Sequence, residues 1–329
     1  MKNPFVTNGY VSPEYFCDRE KETAKIVSLL TNENNIALIS PRRLGKTDLL
    51  RHCFGQPEIK EHYHTFIIDI YATSSVRDFV NVFGKAVLDE LRPKGKSVWG
   101  TFLNVLASLR SEITFDMNGQ PTWGIGLGAI TNPSATLDEI FSYLNNAGKP
   151  CLIAIDEFQQ ITKYADDPNI EAALRTHIQR CSNAHFVFSG SHRHLMGAMF
   201  TSPARPFYQS VTLINLPPIS VDKYAEFCLR HFERASKHLD TLVVTELYER
   251  FNGITSYMQK VMNILFSMTG TGEICIPSMI DTAINDLLDF SADTYDALLY
   301  QMPEKQRIVF MAIAAEGKAK AISSGDFVR

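Results

Sequence analysis

Apolar residues in the first two-thirds of the chain alternate between short dense runs and stretches with helical spacing. A polar segment leads to an amphipathic pattern from about Arg19 to Leu30, and the run Asn35–Ile39 follows as a first strand. The run Thr65–Tyr71 is β-prone throughout and predicts a second strand buried on both faces. Val76–Leu91 then places Val80, Phe83, Val87, Leu88 and Leu91 on one helical face. This alternation predicts an α/β domain with a parallel sheet. Residues 111–130 interrupt it with a hairpin pattern around Asn118-Gly119. Gly124-Ile-Gly-Leu-Gly128 lacks the G-x-G-x-x-G spacing, and Asn132-Pro133 breaks the chain soon after, so the run reads as a glycine-softened hairpin strand. The sheet resumes after a helix opened by the capping box Thr136-Leu-Asp-Glu139. Pro150–Ile155 is the next strand, a helix covers about Ile170–Cys181, and the strands His185–Phe188 and Val211–Leu216 bring the core to five.

Past Leu216 the strand pattern stops. Val221, Tyr224, Ala225, Cys228 and Phe232 share one helical face; Tyr257, Val261, Ile264, Leu265 and Met268 share a second; Ile280, Ala283, Ile284, Leu287 and Leu288 share a third. The expected organisation is an α/β domain over residues 1–216, a helical domain over 217–292, and the incomplete start of a further helical domain over 293–329, including Glu304–Ala315.

Composition narrows this picture modestly. The 329 residues are 45% hydrophobic and 21% charged, with net charge −4, an ordinary globular balance with no whole-protein basic field for nucleic acid, which leaves a local basic patch open. The six cysteines show no C-x-x-C spacing and several sit in apolar runs, which predicts reduced core residues. Met1–Phe5 opens no apolar signal region and no run approaches about 18 apolar residues, so a soluble, cytoplasmic protein without membrane contact is expected.

The candidate chemistry begins at Ser40-Pro-Arg-Arg-Leu-Gly-Lys-Thr47, between an apolar strand and a helix. That is a phosphate-binding P-loop layout, with Ser40 in place of the first glycine of G-x-x-x-x-G-K-[ST]. Backbone N–H groups and a helix N-terminus face an anion there; Lys46 adds a point charge, and Thr47 offers a hydroxyl to Mg²⁺. Pro41, Arg42, Arg43, Leu44, Gly45, Lys46, Thr47 and Asp48 are the expected nucleotide-binding residues. The partner motif is Leu152–Glu157, a Walker B pattern about 110 residues after Lys46. Asp156 is expected to hold Mg²⁺ through water, and Glu157 to polarise the water that attacks the γ-phosphate. Ser191, after the Phe186-Val-Phe strand, is the preferred third polar group, with Ser189 as the alternative. Arg42, Arg43, Arg175, Arg193 and Arg205 are all available as a γ-phosphate cation, and the sequence selects none.

With these motifs placed, the chain resembles the bacterial and archaeal AAA+/STAND ATPases, the archaeal-type ATPases. The resemblance rests on Phe16-Cys-Asp-Arg-Glu20, the Ser40–Thr47 loop, Ile155-Asp-Glu-Phe-Gln159, Phe188-Ser-Gly-Ser191, Arg205-Pro-Phe-Tyr208 and Phe251–Gln259. It implies a sheet of order five-one-four-three-two, a helical lid and a C-terminal winged helix. Three positions depart from the pattern. Thr255 replaces a proline that lies close to adenine in many members, Gln209-Ser210 replaces a Gly-Arg pair, and Ser40 replaces glycine. The expected function is an ATP-binding, Mg²⁺-dependent switch ATPase of slow turnover, with ATP and ADP as ligands and a protein partner or a second copy possible. The alternatives are a DNA-associated module in which ATP mainly orders the fold, and a scaffold that has lost turnover.

Overall fold

The computed structural model describes residues 2–91, 113–115, 121–123 and 132–317. The first half runs α1 (Glu20–Thr31), β1 (Ile36–Ile39), α2 (Lys46–Phe54), α3 (Pro57–His62), β2 (His64–Asp69), α4 (Val76–Leu91), β3 (Ile113–Phe115), β4 (Pro121–Trp123) and α5 (Pro133–Asn145). Then come β5 (Cys151–Asp156), α6 (Ile170–Arg180), β6 (Ala184–Gly190), α7 (Arg193–Thr201) and β7 (Thr212–Asn215). The remainder is α8 (Val221–Arg234), β8 (His238–Leu239), α9 (Thr241–Phe251), α10 (Thr255–Met268), β9 (Ile274–Cys275), α11 (Ile280–Asp289), α12 (Ala292–Gln301) and α13 (Glu304–Ala315).

Five parallel strands form the main sheet in the order β2-β5-β6-β1-β7. Counting core strands alone, that is the expected order five-one-four-three-two. Period-2 alternation divides the apolar runs between two cores. Ala37, Ile39, Ile153, Ile155, Phe186 and Phe188 face one side, where α4, α5 and α6 pack. Ile36, Leu38, Leu152, Ala154 and Val187 face the other, against α1 and α2. The central strands read as unbroken hydrophobic runs because both faces are covered. A third core joins α8, α9, α10 and α11, and Phe5, Cys17 and Ile219 insert into it. The N-terminal segment therefore ties the helical part to the rest.

Several expectations need correction. β2 lies at a sheet edge and buries Phe66 and Ile68, while Thr65 and Ile67 are half-buried and Asp69 is exposed. Helix α5 starts at Pro133, before the expected capping box. Asn132 accepts from Ala135 N at 3.2 Å, whereas the Thr136 hydroxyl donates back to Asn132 O at 3.0 Å. Asn is among the best caps and proline suits the first helical position, so Asn132-Pro133 sets the start. The helical part also contains strand: β8 pairs with β9 in parallel. The expected hairpin strands do pair, with Ile113 opposite Trp123; Asn118-Gly119, Gly124–Gly128 and Ala321–Arg329 lie outside the described residues. All six cysteines are buried and free. Among the described residues no helix is long and apolar enough to cross a membrane.

Candidate functional site

The C-terminal ends of β1, β5 and β6 bring Ser40, Asp156 and Gly190 to one edge of the sheet, where open α/β folds place ligands. The loop after β1 is held from beneath, since Ser40 is fully buried and its N–H donates to Gly190 O at 3.4 Å. Arg43 (φ 69°) and Gly45 (φ 82°) both take left-handed backbone, and Gly45 is the residue type that does so without strain. Gly45 caps α2 with no side-chain acceptor, so the first N–H groups of that helix are open to an anion.

Lys46 is 7% exposed, and its Nζ donates to Ser40 O and Pro41 O at 3.1 and 3.2 Å. Burial pulls its ammonium below the ordinary range, Asp156 and Glu157 oppose that, and Arg42 adds to it. Beside it, Thr47 Oγ1 donates to Asp156 Oδ2 at 2.5 Å. The second Asp156 oxygen accepts from Glu157 N at 3.0 Å. A hydroxyl and a carboxylate this close are hard oxygen donors of the kind Mg²⁺ takes, so the residues present fit that ion.

Glu157 has left-handed backbone (φ 54°) where β5 ends. Its Oε2 accepts from Ser191 Oγ at 2.9 Å and from Gln159 Nε2. Arg42 Nε in turn donates to Ser191 Oγ at 3.4 Å. Gln159 is buried behind this group, and a Cβ on Gly190 would collide with its Oε1 and approach Met196 Cγ at 2.6 Å. Glycine at 190 is what leaves room for that amide.

The loop, Lys46, Thr47, Asp156 and Glu157 open onto one cleft of about 340 Å³, within the range of small-ligand sites, while Ser191 and Gln159 sit behind Glu157 and do not line it. Arg42, Arg43, Leu44, Gly45, Lys46, Thr47, Asp48, Asp156 and Glu157 line it. Burial raises the Asp48 carboxyl, partly offset by Arg51. Pro41 does not line the cleft; its carbonyl accepts from Lys46 Nζ and from Ser40 Oγ. Of the two serines, Ser191 reaches the Glu157 carboxylate, while Ser189 is fully buried with an unpartnered hydroxyl. The other end of the cleft was anticipated only through the resemblance, at Thr255, and not from residue types. Val6, Tyr10, Phe16, Arg19, Ile219 and Gln259 line it together with Thr255, whose hydroxyl is buried without a partner. Tyr10 Oη lies 3.1 Å from His52 Nδ1 and Phe16 stacks on the same ring at 4.4 Å, clamping the N-terminal segment to α2. Of these, Phe16 and Arg19 carried a signal within Phe16–Glu20, and Thr255 and Gln259 within Phe251–Gln259; Val6, Tyr10 and Ile219 carried none. The loop also reaches the lid: the Arg43 guanidinium bonds Tyr257 Oη and lies 4.9 Å from its ring centroid, and Arg43 O accepts from Ser256 N at 3.2 Å.

Residues 16–261 match the profile of an ATPase domain found predominantly in Archaea. Residues 293–329 match that of a probable winged-helix domain. No curated protein matches the sequence. Among solved structures, a Walker-type ATPase of Pyrococcus abyssi is similar with a TM-score of 0.62 at 18% identity, over 94% of this chain and 81% of that one. The Aeropyrum pernix ORC1 protein, solved in complex with DNA, gives 0.57 at 13% identity over 92% and 73%. The ORC2 protein of the same organism, solved with ADPNP and ADP, gives 0.56 at 14% over 87% and 71%. At these identities the likeness is one of fold. Together with a parallel five-stranded sheet carrying a P-loop cleft and a helical lid, the matched span of well over half the sequence establishes that the chain belongs to the archaeal-type ATPases and has the AAA+ P-loop fold.

Proposed function

We propose that the protein is an ATP-binding, Mg²⁺-dependent ATPase that works as a nucleotide-driven switch of the STAND kind, hydrolysing ATP to ADP and phosphate with slow turnover. The observation that carries this reading is the convergence on one cleft of Lys46, the Thr47–Asp156 pair and Glu157, whose carboxylate accepts from Ser191 behind it. In it, the open N–H groups of α2 and the Lys46 ammonium bind the β- and γ-phosphates. Thr47 and Asp156 would hold Mg²⁺, which would neutralise phosphate charge there. Glu157, the acidic end of a Walker B strand, orients a water and receives its proton. The water oxygen bonds to the γ-phosphorus as the bond to the β–γ bridging oxygen breaks, and ADP leaves with its charge stabilised by Lys46. Ser191 and Gln159 fix the carboxylate that does this.

The switch part is supported by the contacts of Arg43 with Ser256 and Tyr257, which join the phosphate loop directly to helix α10. A loop that reorders around phosphate moves that helix with it. In this reading residues 1–216 are the ATPase core, 217–292 the lid and 293–329 the start of a winged-helix domain, and the buried free cysteines suit a reducing compartment such as the cytoplasm. Phosphate release measured with and without Mg²⁺, for wild type and Lys46→Ala, tests the proposal. Mg²⁺-dependent release lost in the variant is expected; equal rates in all four conditions would overturn it.

A second reading, a DNA-associated module whose ATP mainly orders the fold, is favoured by the winged-helix match alone. The net charge of −4 weighs against it. Retention on duplex DNA at low salt separates the two.

A further inference from the structure

Phosphoryl transfer gains from a cation on the γ-phosphate in addition to the loop lysine. Five arginines were open candidates, and their surroundings in the fold differ sharply. Arg205 is paired with Glu171, a carboxylate that is itself buried. Arg175 donates to Gln179 one turn along α6 at 3.1 Å. Arg193 is exposed at the start of α7 and does not line the cleft. Arg43 is turned to the lid, with its guanidinium on Tyr257.

Arg42 differs from all four. It lines the cleft, and its Nε lies 3.4 Å from Ser191 Oγ, which lies 2.9 Å from Glu157 Oε2. Its guanidinium carbon sits 5.5 Å from the centroid of the Tyr71 ring, so the planar group rests against an aromatic face from the end of β2. Its charge is felt at Lys46. Among the described residues no carboxylate pairs with it, so the rest of the fork is uncommitted. An unpaired guanidinium held between the water-orienting carboxylate group and the loop lysine is an anion receptor with a preferred geometry.

We infer that Arg42 is the γ-phosphate cation of this site, supplied in cis from within the phosphate loop, and that it distinguishes ATP from ADP. The inference rests on the ATPase reading above. It makes Arg42 a catalytic residue that belongs to the same subunit as Lys46. It also gives the switch a sensor, because only a nucleotide with a third phosphate engages both Arg42 and the Ser191–Glu157 pair.

The test compares wild type, Arg42→Ala and Arg42→Lys by calorimetric titration with ATPγS and with ADP, in Mg²⁺, alongside ATP turnover. Arg42 is exposed, so neither substitution opens a core. Expected is a loss of about tenfold in ATPγS affinity for Arg42→Ala with ADP affinity unchanged. Turnover should fall about a hundredfold or more. Arg42→Lys should fall between, since it keeps the charge and loses the fork. Mixing Arg42→Ala with Lys46→Ala subunits decides cis against trans, because a trans arginine from the second variant would restore turnover to the first. No restoration is expected. Unchanged ATPγS preference and rate in Arg42→Ala, or restoration on mixing, would overturn the inference. Wild type that binds neither nucleotide would instead overturn the ATPase reading beneath it.

Discussion

Lys46 folds back onto the carbonyls of Ser40 and Pro41 with its charge already destabilised by burial. Its folded pKa therefore lies below the ordinary 10.5, and between those two values the unfolded chain holds more protons than the native one. The nucleotide-free protein gains stability as pH rises through that window and loses the gain as pH falls back through the folded pKa. A phosphate anion reverses the balance by stabilising the ammonium. Nucleotide binding in the alkaline window is thus expected to take up a proton and to weaken as pH rises. Calorimetry in buffers of different ionisation enthalpy reads this directly, and Lys46→Ala should abolish the uptake. At this scale the sequence was most readable where chemistry is tied to residue type. Lys46, Thr47, Asp156 and Glu157 announce themselves by spacing, and the fold brings them together. Gln159 and Tyr10 do not, because their roles depend on neighbours across the fold: Glu157 Oε2 and the room left by Gly190 for one, the His52 ring for the other.

At the scale of elements, α10 shows how one substitution leaves its trace on a helix start. Thr255 occupies the first helical position, after Ile254 in an extended conformation (φ −71°, ψ 100°). Its hydroxyl is buried with no partner. Proline suits that position, the preceding residue is already extended rather than helical, and the first N–H of a helix has no helical acceptor to lose. Thr255→Pro is therefore expected to stabilise the protein by about 0.4–1 kcal/mol, read as a higher urea midpoint with unchanged slope. A lower midpoint would show that the backbone at this position cannot accept the ring. The same scale held most of the misreadings. A dense apolar run marks β2 as strand but does not say that it ends the sheet. Thr136–Glu139 has the pattern of a cap, yet Asn132-Pro133 wins because its side chain and fixed backbone act one turn earlier. The two-residue strands β8 and β9 are too short to leave a period in the sequence.

For the whole molecule, the informative feature is that the cleft is shared by three distant parts of the chain: the N-terminal segment, the strand ends of the sheet, and α10 of the lid. The α/β and helical halves were legible because the apolar period changes near Leu216. Their joint was not, since it depends on Phe5 and Cys17 crossing into the helical core and on Arg43 reaching Tyr257. A ligand that fills this cleft contacts all three parts at once, which is how occupancy is expected to become a change of shape. One event decides the proposed reaction, the activation of water by Glu157 at the γ-phosphate. The most direct measurement is ATP turnover by wild type and Glu157→Gln at matched, independently titrated nucleotide occupancy. Glu157→Gln is expected still to bind ATP and to turn it over about a hundredfold more slowly or worse. Equal turnover by the two proteins, with ATP bound in both, would contradict it.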